Sequence, residues 1–199
     1  IRMSMEPYCN KLLSEMGMDS CTPRDVPFRD NIDYNSPELN SEDASKYRSG
    51  VGGIGWLANT TRSDLAFTFS RLGSHLAKPT KSTMAALMQA LRYIQGTKHY
   101  KLSMLCNSTV ADARNDYHLS VDSDHGSNTD PESARKSQTG FIERQNGVPV
   151  KWKSQAQSIT STSSAESEIY AASQALQNFT HQSYVTSEIG IKDFPKQFP

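Results

Sequence analysis

Hydrophobic residues follow a helical period in the first half of the chain and a two-residue period in the second half. Between residues 62 and 95 the apolar side chains recur three or four positions apart, which predicts amphipathic helices over 62–77 and 82–95. A shorter helix is predicted over 5–16, so residues 1–105 are expected to be mainly helical. The apolar positions of the two longer helices are Leu65, Phe69, Leu72 and Leu76, then Met84, Leu87, Met88, Leu91 and Ile94.

Four glycines interrupt the apolar stretch 44–58, which reads ASKYRSGVGGIGWLA. Each interior glycine costs a helix about 1 kcal/mol relative to alanine. Close backbone packing is one reason to place glycines in a buried helix. The run GVGGIG also looks like a dinucleotide-binding loop, but no strand pattern precedes it and the GxGxxG register does not fit. We therefore expect no cofactor site here.

The second half of the chain alternates apolar and polar residues over 117–124, which is typical of a half-buried strand. Two further strands, 139–145 and 148–154, flank Asn146-Gly147, a dipeptide that favours a two-residue hairpin turn. A helix is predicted to begin near Ser163–Ser164 and to run to about residue 179. The chain is therefore expected to be of the α/β (α+β) class, with a helical segment followed by three antiparallel strands and a helix.

Two carboxylates, Asp122 and Asp124, lie one residue apart at the end of the first strand. Residues i and i+2 of a strand face the same side, and a divalent cation would relieve the repulsion between the two charges. Hard oxygen ligands suit Mg²⁺. The alternative is an acidic strand end that enters a loop. A calcium loop is excluded because Gly126, Ser127 and Ser133 occupy positions where the EF-hand pattern needs other residues.

The helix after the hairpin offers Glu166 and Glu168. Its apolar stripe is predicted from the helical period as Ala165, Ile169, Ala172, Leu176 and Phe179. Glu168 lies within about 50° of the centre of that stripe and Glu166 roughly 115° away. Glu168 is thus expected to border the buried face and to look toward the sheet. The alternative role for Glu168 is a carboxylate on the helix flank that makes an ordinary hydrogen bond.

The net charge indicates no particular class of binding partner, because 21 basic residues balance 21 acidic ones. The local charge is more informative, since residues 135–153 hold five basic residues and one acid. Beside a carboxylate cluster such residues can hold phosphates without reading sequence, although a solvated strand face is the simpler explanation.

Three widely spaced cysteines favour a reducing compartment. No apolar run is long enough for a membrane helix, and the N-terminus lacks the apolar core of a secretory signal.

Five motifs, in this order and spacing, resemble the Pol polyproteins of copia-type LTR retrotransposons. They are YRSGVGGIGWLANTTRSDLAFTFSRLGSHLAKPT, VDSDHGS, ARKSQTGFI, VPVKWKSQAQ and STSSAESEIYAAS. The first resembles the connection that follows the reverse transcriptase, and the others resemble the start of the RNase H domain. The resemblance implies a division into 1–43 (end of the reverse transcriptase region and linker), 44–105 (helical connection) and 117–199 (N-terminal part of an RNase H-like domain).

The resemblance implies hydrolysis of the RNA strand of RNA–DNA hybrids, with carboxylates and Mg²⁺, which Mn²⁺ can replace. By motif matching, Asp122 and Glu168 are the catalytic and metal-binding carboxylates, and Asp124 is an auxiliary metal ligand. Arg135, Lys136, Lys151 and Lys153 are the expected nucleic-acid contacts. The expected partners are the hybrid and the remainder of the Pol polyprotein, with no membrane. The expected location is the cytoplasm, within virus-like particles, or the nucleus.

The chain departs from the family pattern at His125, where an aromatic residue is usual, and at Ser63, where proline is usual. The third catalytic aspartate of the family would fall after IGIKDFPKQFP, beyond Pro199, so we expect a C-terminally truncated domain. Residues 1–199 alone are then expected to show little or no hydrolysis. Two alternatives stay open: a catalytically inactive nucleic-acid-binding or interaction relic of a mobile element, and a DxD nucleotide site of a glycosyltransferase. The mainly helical first half disfavours the second.

Overall fold

The helices of the first half pack together as one unit, Arg2–Ser103, and a separate unit is drawn from the chain after Ser103. The computed structural model describes residues 1–29, 32–104, 117–126, 136–145 and 147–188. The mixture of helices with a three-stranded antiparallel sheet confirms the predicted α+β class. Within the described ranges, none of the helices combines the length and apolar character that a membrane crossing requires.

The first unit contains four α-helices and a small two-stranded sheet. Its two short strands, β1 (Arg2–Ser4) and β2 (Lys101–Ser103), pair antiparallel, with Arg2 opposite Ser103 and Ser4 opposite Lys101. This pairing joins residues about a hundred positions apart, and the sequence analysis did not predict it. The elements are β1 (Arg2–Ser4), α1 (Glu6–Glu15), α2 (Ser41–Thr60), a 3₁₀ turn (Ser63–Leu65), α3 (Ala66–Gly73), α4 (Lys81–Thr97) and β2 (Lys101–Ser103).

The glycines of α2 allow neighbouring helices to approach its backbone closely. A Cβ atom added at Gly53 would lie 2.5 Å from Leu12 Cδ1, and one added at Gly55 would lie 2.5 Å from Phe69 Cε2. Gly50 faces Leu87 in the same way, at 2.9 Å. These contacts confirm that 44–58 is a buried helix that packs through its glycines.

Local signals define the ends of α1 and α4. Gly17 has a φ of 70°, and the amides of Gly17 and Met18 bond the carbonyls of Ser14 and Leu13, so α1 ends in a Schellman motif. The helix α4 begins with a reciprocal capping box between Thr80 and Thr83.

The helix predicted over 62–77 is shorter than expected. A 3₁₀ turn, Ser63–Leu65, precedes α3, and α3 ends at Gly73. Beyond Gly73, the amides of His75 and Leu76 bond carbonyls only three residues back. Leu76 still packs, half-buried, against the core of the first unit. The apolar pattern in the sequence therefore extends past Gly73, where α3 itself ends.

The described residues of the second unit form a three-stranded antiparallel sheet and one long helix. Its elements are β3 (Tyr117–Asp124), β4 (Gln138–Gln145), β5 (Val148–Ala156) and α5 (Ser164–Glu188). The strands lie in the order β3-β4-β5. Gln145 pairs with Val148, so the two-residue hairpin is confirmed; Gly147 has a φ of 80°, and Asn146 lies outside the described residues.

The buried face of α5 differs from the predicted stripe. Ser167, Ala171, Ala175 and Phe179 are buried, whereas Ile169 is 71% exposed and Leu176 is 43% exposed. At about 100° per residue, the observed face is centred roughly 100° from the predicted one. The prediction was wrong because α5 carries two apolar stripes, and the one with smaller side chains lets the helix lie close to the sheet.

Candidate carboxylate site

The two aspartates of β3 lie on the face of the sheet that points away from α5. Asp122 and Asp124 are both exposed, and strand alternation places them on one face, as predicted. Asp122 is paired with Gly140 across the ladder, and a Cβ atom added at Gly140 would meet no atom within 4 Å. The Asp122 carboxylate accepts a hydrogen bond from the Ser123 amide at 2.8 Å. Open space therefore surrounds an accessible carboxylate.

The residue between the aspartates, Ser123, faces the other way and contacts α5. The hydroxyls of Ser123 and Ser167 form a hydrogen bond, and Ser167 is completely buried. Glu168 follows Ser167 directly and is exposed. It lies roughly 40° from the centre of the observed buried face, so it borders that face although the predicted stripe was wrong. This contact ties the strand of Asp122 to the helix of Glu168.

Glu166 has a different role from Glu168. Its carboxylate accepts hydrogen bonds from the Thr162 amide at 2.6 Å and the Thr162 hydroxyl at 2.8 Å. These bonds, the backbone bond first, lower the pKa of Glu166. Its own amide bonds the Ser163 hydroxyl at 3.1 Å, so Glu166 stabilises the start of α5.

A buried polar cluster, which the sequence analysis missed, lies beneath these carboxylates. The side-chain amide of Gln157, a residue that is 1% exposed, donates to Thr139 Oγ1 and to the Ser167 carbonyl, both at 3.0 Å, and lies 3.4 Å from Ser123 Oγ. Gln157 thereby joins β3, β4 and α5. Nearby, the Ser137 and Ser161 hydroxyls bond at 2.9 Å, and the His125 ring lies within 3.5 Å of both. The sequence signal that could have predicted this cluster is the concentration of Ser and Gln in KSQTG, SQAQS and STSS.

The three predicted metal ligands do not form one cluster. Among the residues that the structure describes, no group of three His, Cys, Asp or Glu side chains is placed to hold a metal ion. Asp122 and Asp124 share the open face of the sheet, and Glu168 lies on α5, which packs on the opposite face. The aspartate pair nevertheless fits Mg²⁺ in its donor chemistry, since Mg²⁺ is commonly held by one or two carboxylates and several waters.

The predicted basic residues occupy the hairpin and its surroundings. Lys151 and Lys153 alternate with Trp152 on β5, which is an edge strand, and Lys153 is exposed whereas Lys151 is half-buried. Ladder pairing puts Lys151 opposite Glu143 and Lys153 opposite Phe141, so both lysines are on the α5 side of the sheet. Lys136 is half-buried. Arg135 lies outside the described residues.

Glu143 is an unexpected buried carboxylate in the middle of β4. The residue is 1% exposed, and neither carboxylate oxygen has a hydrogen-bond partner among the described residues. Burial raises the pKa of Glu143, and the charge of Lys151 opposes that rise. The two-residue period of the strand predicts which face of the sheet Glu143 is on. It does not predict that Glu143 is buried, because that burial depends on α5.

Comparison with known proteins places the chain among mobile-element polyproteins. The chain is 28% identical to an uncharacterized mitochondrial protein of Arabidopsis thaliana over 85% of its own length and 67% of that protein's. It is 25% identical to the retrovirus-related Pol polyprotein from transposon RE1 of the same plant, over 96% of the chain but 13% of the polyprotein. A secreted RxLR effector protein of Plasmopara viticola is 35% identical over 66% of the chain and 87% of its own length.

The Pol polyprotein from the tobacco transposon TNT 1-94 matches over 95% of the chain, and a putative Ty5-1 transposon protein of Saccharomyces cerevisiae matches over 88%. The homologues of this chain therefore include retrotransposon Pol polyproteins, to which it is 24–25% identical over 95–96% of its length. No family model matches it, and no solved structure matches it either. Since the chain spans only 13% and 14% of the RE1 and TNT 1-94 polyproteins, their complete activities belong to a larger molecule.

Proposed function

We propose that this chain contributes, within its parent polyprotein, to Mg²⁺-dependent hydrolysis of the RNA strand of RNA–DNA hybrids as part of an RNase H-like domain. The observation that carries the proposal is the hydrogen bond between Ser123 and Ser167. It fixes β3 against α5 at the residues next to Asp122 and Glu168, the carboxylates that the family resemblance selects. The similarity to retrotransposon Pol polyproteins supports the same assignment.

In this proposal Asp122, with Asp124 as an auxiliary ligand, would hold one Mg²⁺ ion and Glu168 would hold a second, and Mn²⁺ can replace Mg²⁺. Bound metal would supply an activated water and stabilise the leaving oxygen in an in-line phosphodiester hydrolysis. The chain's own contribution is to keep the Asp122 carboxylate accessible beside Gly140 and to hold its strand rigidly through Gln157. Within the described residues no third carboxylate joins the two aspartates, and the proposal assigns the further donors to water and to residues outside the described ranges.

The nucleic-acid contacts in this proposal are Lys151 and Lys153 on the edge strand, together with Lys136 and Arg135. Lysine and arginine bind phosphates without reading sequence, and an A-form duplex is recognised mainly by shape and backbone. The hybrid and the remainder of the polyprotein are the proposed partners. The proposed location is the cytoplasm, within virus-like particles, or the nucleus.

A second candidate function is a catalytically inactive nucleic-acid-binding relic of a mobile element. The dispersed positions of the carboxylates favour it, because Asp122 and Glu168 extend from opposite sides of the sheet. The lysines on β5 would then act without the acids. Hybrid binding that survives Asp122→Asn and is lost in the double variant Lys151→Gln/Lys153→Gln would favour this function.

Metal binding separates the two functions directly. The chain would be titrated with Mn²⁺ and followed by water proton relaxation, beside the variants Asp122→Asn and Glu168→Gln. We expect weak binding that is lost in Asp122→Asn, reduced in Glu168→Gln and unchanged in Asp19→Asn, an exposed acid of the first unit. Cleavage of a labelled hybrid in Mg²⁺ is expected to be slight. Binding that is the same in all four proteins would contradict the proposed metal site.

A further inference from the structure

The buried carboxylate of Glu143 lies opposite a lysine that could otherwise bind phosphate. Glu143 is 1% exposed, and neither of its carboxylate oxygens has a hydrogen-bond partner among the described residues. Ladder pairing puts Lys151 of β5 directly opposite it. Burial raises the pKa of Glu143, and the charge of Lys151 opposes that rise. Lys151 therefore acts on Glu143 through its charge, although the two side chains share no hydrogen bond.

A β-bulge lies next to this pair. Glu143 is paired with Lys151 and Arg144 with Pro149, so Val150 is an extra residue on β5. Bulges redirect side chains and are common at sheet edges, and β5 is an edge strand. Lys151 is half-buried, and a lysine can bury its long stem while its ammonium group stays in water. Rotation of this stem can therefore carry the ammonium group toward the Glu143 carboxylate or toward a phosphate in solvent.

The other groups packed around Glu143 are uncharged. Leu119 pairs with it on β3, and Phe141 is two positions away on the same face of β4. The residues of α5 that are buried against the sheet are also uncharged, namely Ser167, Ala171, Ala175 and Phe179. The titratable residues of α5 within the described ranges are exposed or half-buried, and they are Glu166, Glu168, Tyr170, His181, Tyr184 and Glu188. Lys153 shares the face of Lys151, but Phe141 and not a carboxylate lies opposite it.

We propose that the protonation state of Glu143 controls whether Lys151 can bind a backbone phosphate of the RNA–DNA hybrid. The inference rests on the proposed function, in which Lys151 is a phosphate contact. When Glu143 is ionised, movement of Lys151 to a phosphate leaves a buried charge without compensation, which is costly. When Glu143 has taken up a proton from solvent, Lys151 can bind phosphate without that cost. Proton uptake and phosphate binding therefore favour each other by the same factor.

The direction of the pH dependence follows from this linkage. Burial raises the folded-state pKa of Glu143 above 4.5, so the contribution of Lys151 to hybrid binding is complete below that raised pKa and decreases as the pH rises through it. Lys153 has no carboxylate opposite it and should contribute equally at every pH. The two lysines, which are otherwise alike, are thus expected to differ in their pH dependence.

The test measures binding of a fluorescein-labelled RNA–DNA hybrid to the complete chain by anisotropy at pH 5, 6, 7 and 8, without divalent metal so that the hybrid is not cleaved. Glu143→Gln removes the charge and keeps the shape of the side chain. It should bind about two- to fivefold more tightly than the parent chain at pH 8, the strength of a partly exposed ion pair, with a smaller difference at pH 5. Protonation of histidines affects all variants alike and cancels in this comparison.

The lysine variants are the matched controls. Lys153→Gln should weaken binding by the same factor at each pH, whereas Lys151→Gln should weaken it more at pH 5 than at pH 8. In the Lys151→Gln background, Glu143→Gln should have no effect. Thermal melting at each pH verifies that the variants are folded.

The outcomes separate this inference from the proposed function. If the lysine variants weaken binding but Glu143→Gln and the parent chain bind equally at pH 8, the inference is overturned and the proposed contacts stand. A gain in Glu143→Gln that persists in the Lys151→Gln background overturns it too, since the effect is then one of net charge. If the hybrid does not bind, or if neither lysine variant changes its affinity, the proposed contacts fail and the inference fails with them.

Discussion

The packing around α2 predicts that alanine substitutions at two neighbouring glycines, Gly52 and Gly53, have opposite effects on stability. Gly52 is exposed, and a Cβ atom added there would meet no atom within 4 Å. Gly52→Ala should therefore raise the free energy of unfolding by about 0.5–1 kcal/mol, the difference in helix propensity. At Gly53 the added Cβ would lie 2.5 Å from Leu12 Cδ1 and 3.1 Å from Leu12 Cδ2.

Leu12 cannot avoid that contact easily, because it is 4% exposed in the core of the first unit. Overpacking of this kind costs about 1–3 kcal/mol, which exceeds the gain in propensity. Gly53→Ala should therefore lower the free energy of unfolding by about 1–2 kcal/mol. Leu12→Ala alone should cost about 2–5 kcal/mol through the lost contacts and the cavity.

A double-mutant cycle tests whether Leu12 is the cause. In Gly53→Ala/Leu12→Ala the new methyl group occupies part of the vacated space, so the double variant should be more stable than the sum of the single effects predicts. Urea unfolding followed by circular dichroism at 222 nm gives the four free energies. If Gly53→Ala is as stable as Gly52→Ala, or if the two changes are additive, the close packing inferred for α2 is refuted.

Three further predictions concern buried polar groups. Burial raises the folded-state pKa of Glu143 above its usual 4.5, so the folded chain favours the protonated carboxyl and its stability falls as the pH rises above the pKa of the unfolded state. In urea unfolding, Glu143→Gln should therefore stabilise the chain more at pH 8 than at pH 5. Equal gains in stability at the two pH values would contradict this. In thermal melts, Asp64→Ala should destabilise the chain more than Arg62→Met does. Asp64→Ala leaves the charge of Arg62, whose side chain is 3% exposed, whereas Arg62→Met leaves that of Asp64, which is 34% exposed, and an uncompensated charge costs most where it is most buried. The reverse order would refute the assignment of Arg62 as the buried partner. Gln157→Glu should lower the free energy of unfolding more than Gln157→Leu, because an ionised carboxylate cannot donate to the Ser167 carbonyl and repels it; a smaller loss for Gln157→Glu would argue against the donor role of the Gln157 amide.

The candidate site was partly predictable. Strand alternation placed Asp122 and Asp124 on one face. Glu168 does border the buried face of α5, but the apolar stripe from which this was predicted is not the buried one. The Gln157 cluster was not predictable, because its members are scattered over 123–167 and each is an ordinary polar residue on its own. Only the packing of α5 on the sheet brings them together and removes them from water. The burial of Glu143 has the same origin.

The sequence by itself determined most of the helices and the three longer strands, and it carries the similarity to retrotransposon Pol polyproteins. Apolar periods, the capping box at Thr80 and the φ > 0 requirement met by Gly17 and Gly147 act over a few residues, so they can be read without a partner. Tertiary structure decided which of two apolar stripes of α5 is buried, which glycines of α2 meet a neighbour, and how β1 finds β2. Each of these depends on the shape of a surface that is distant in sequence, and a local pattern contains no information about that shape.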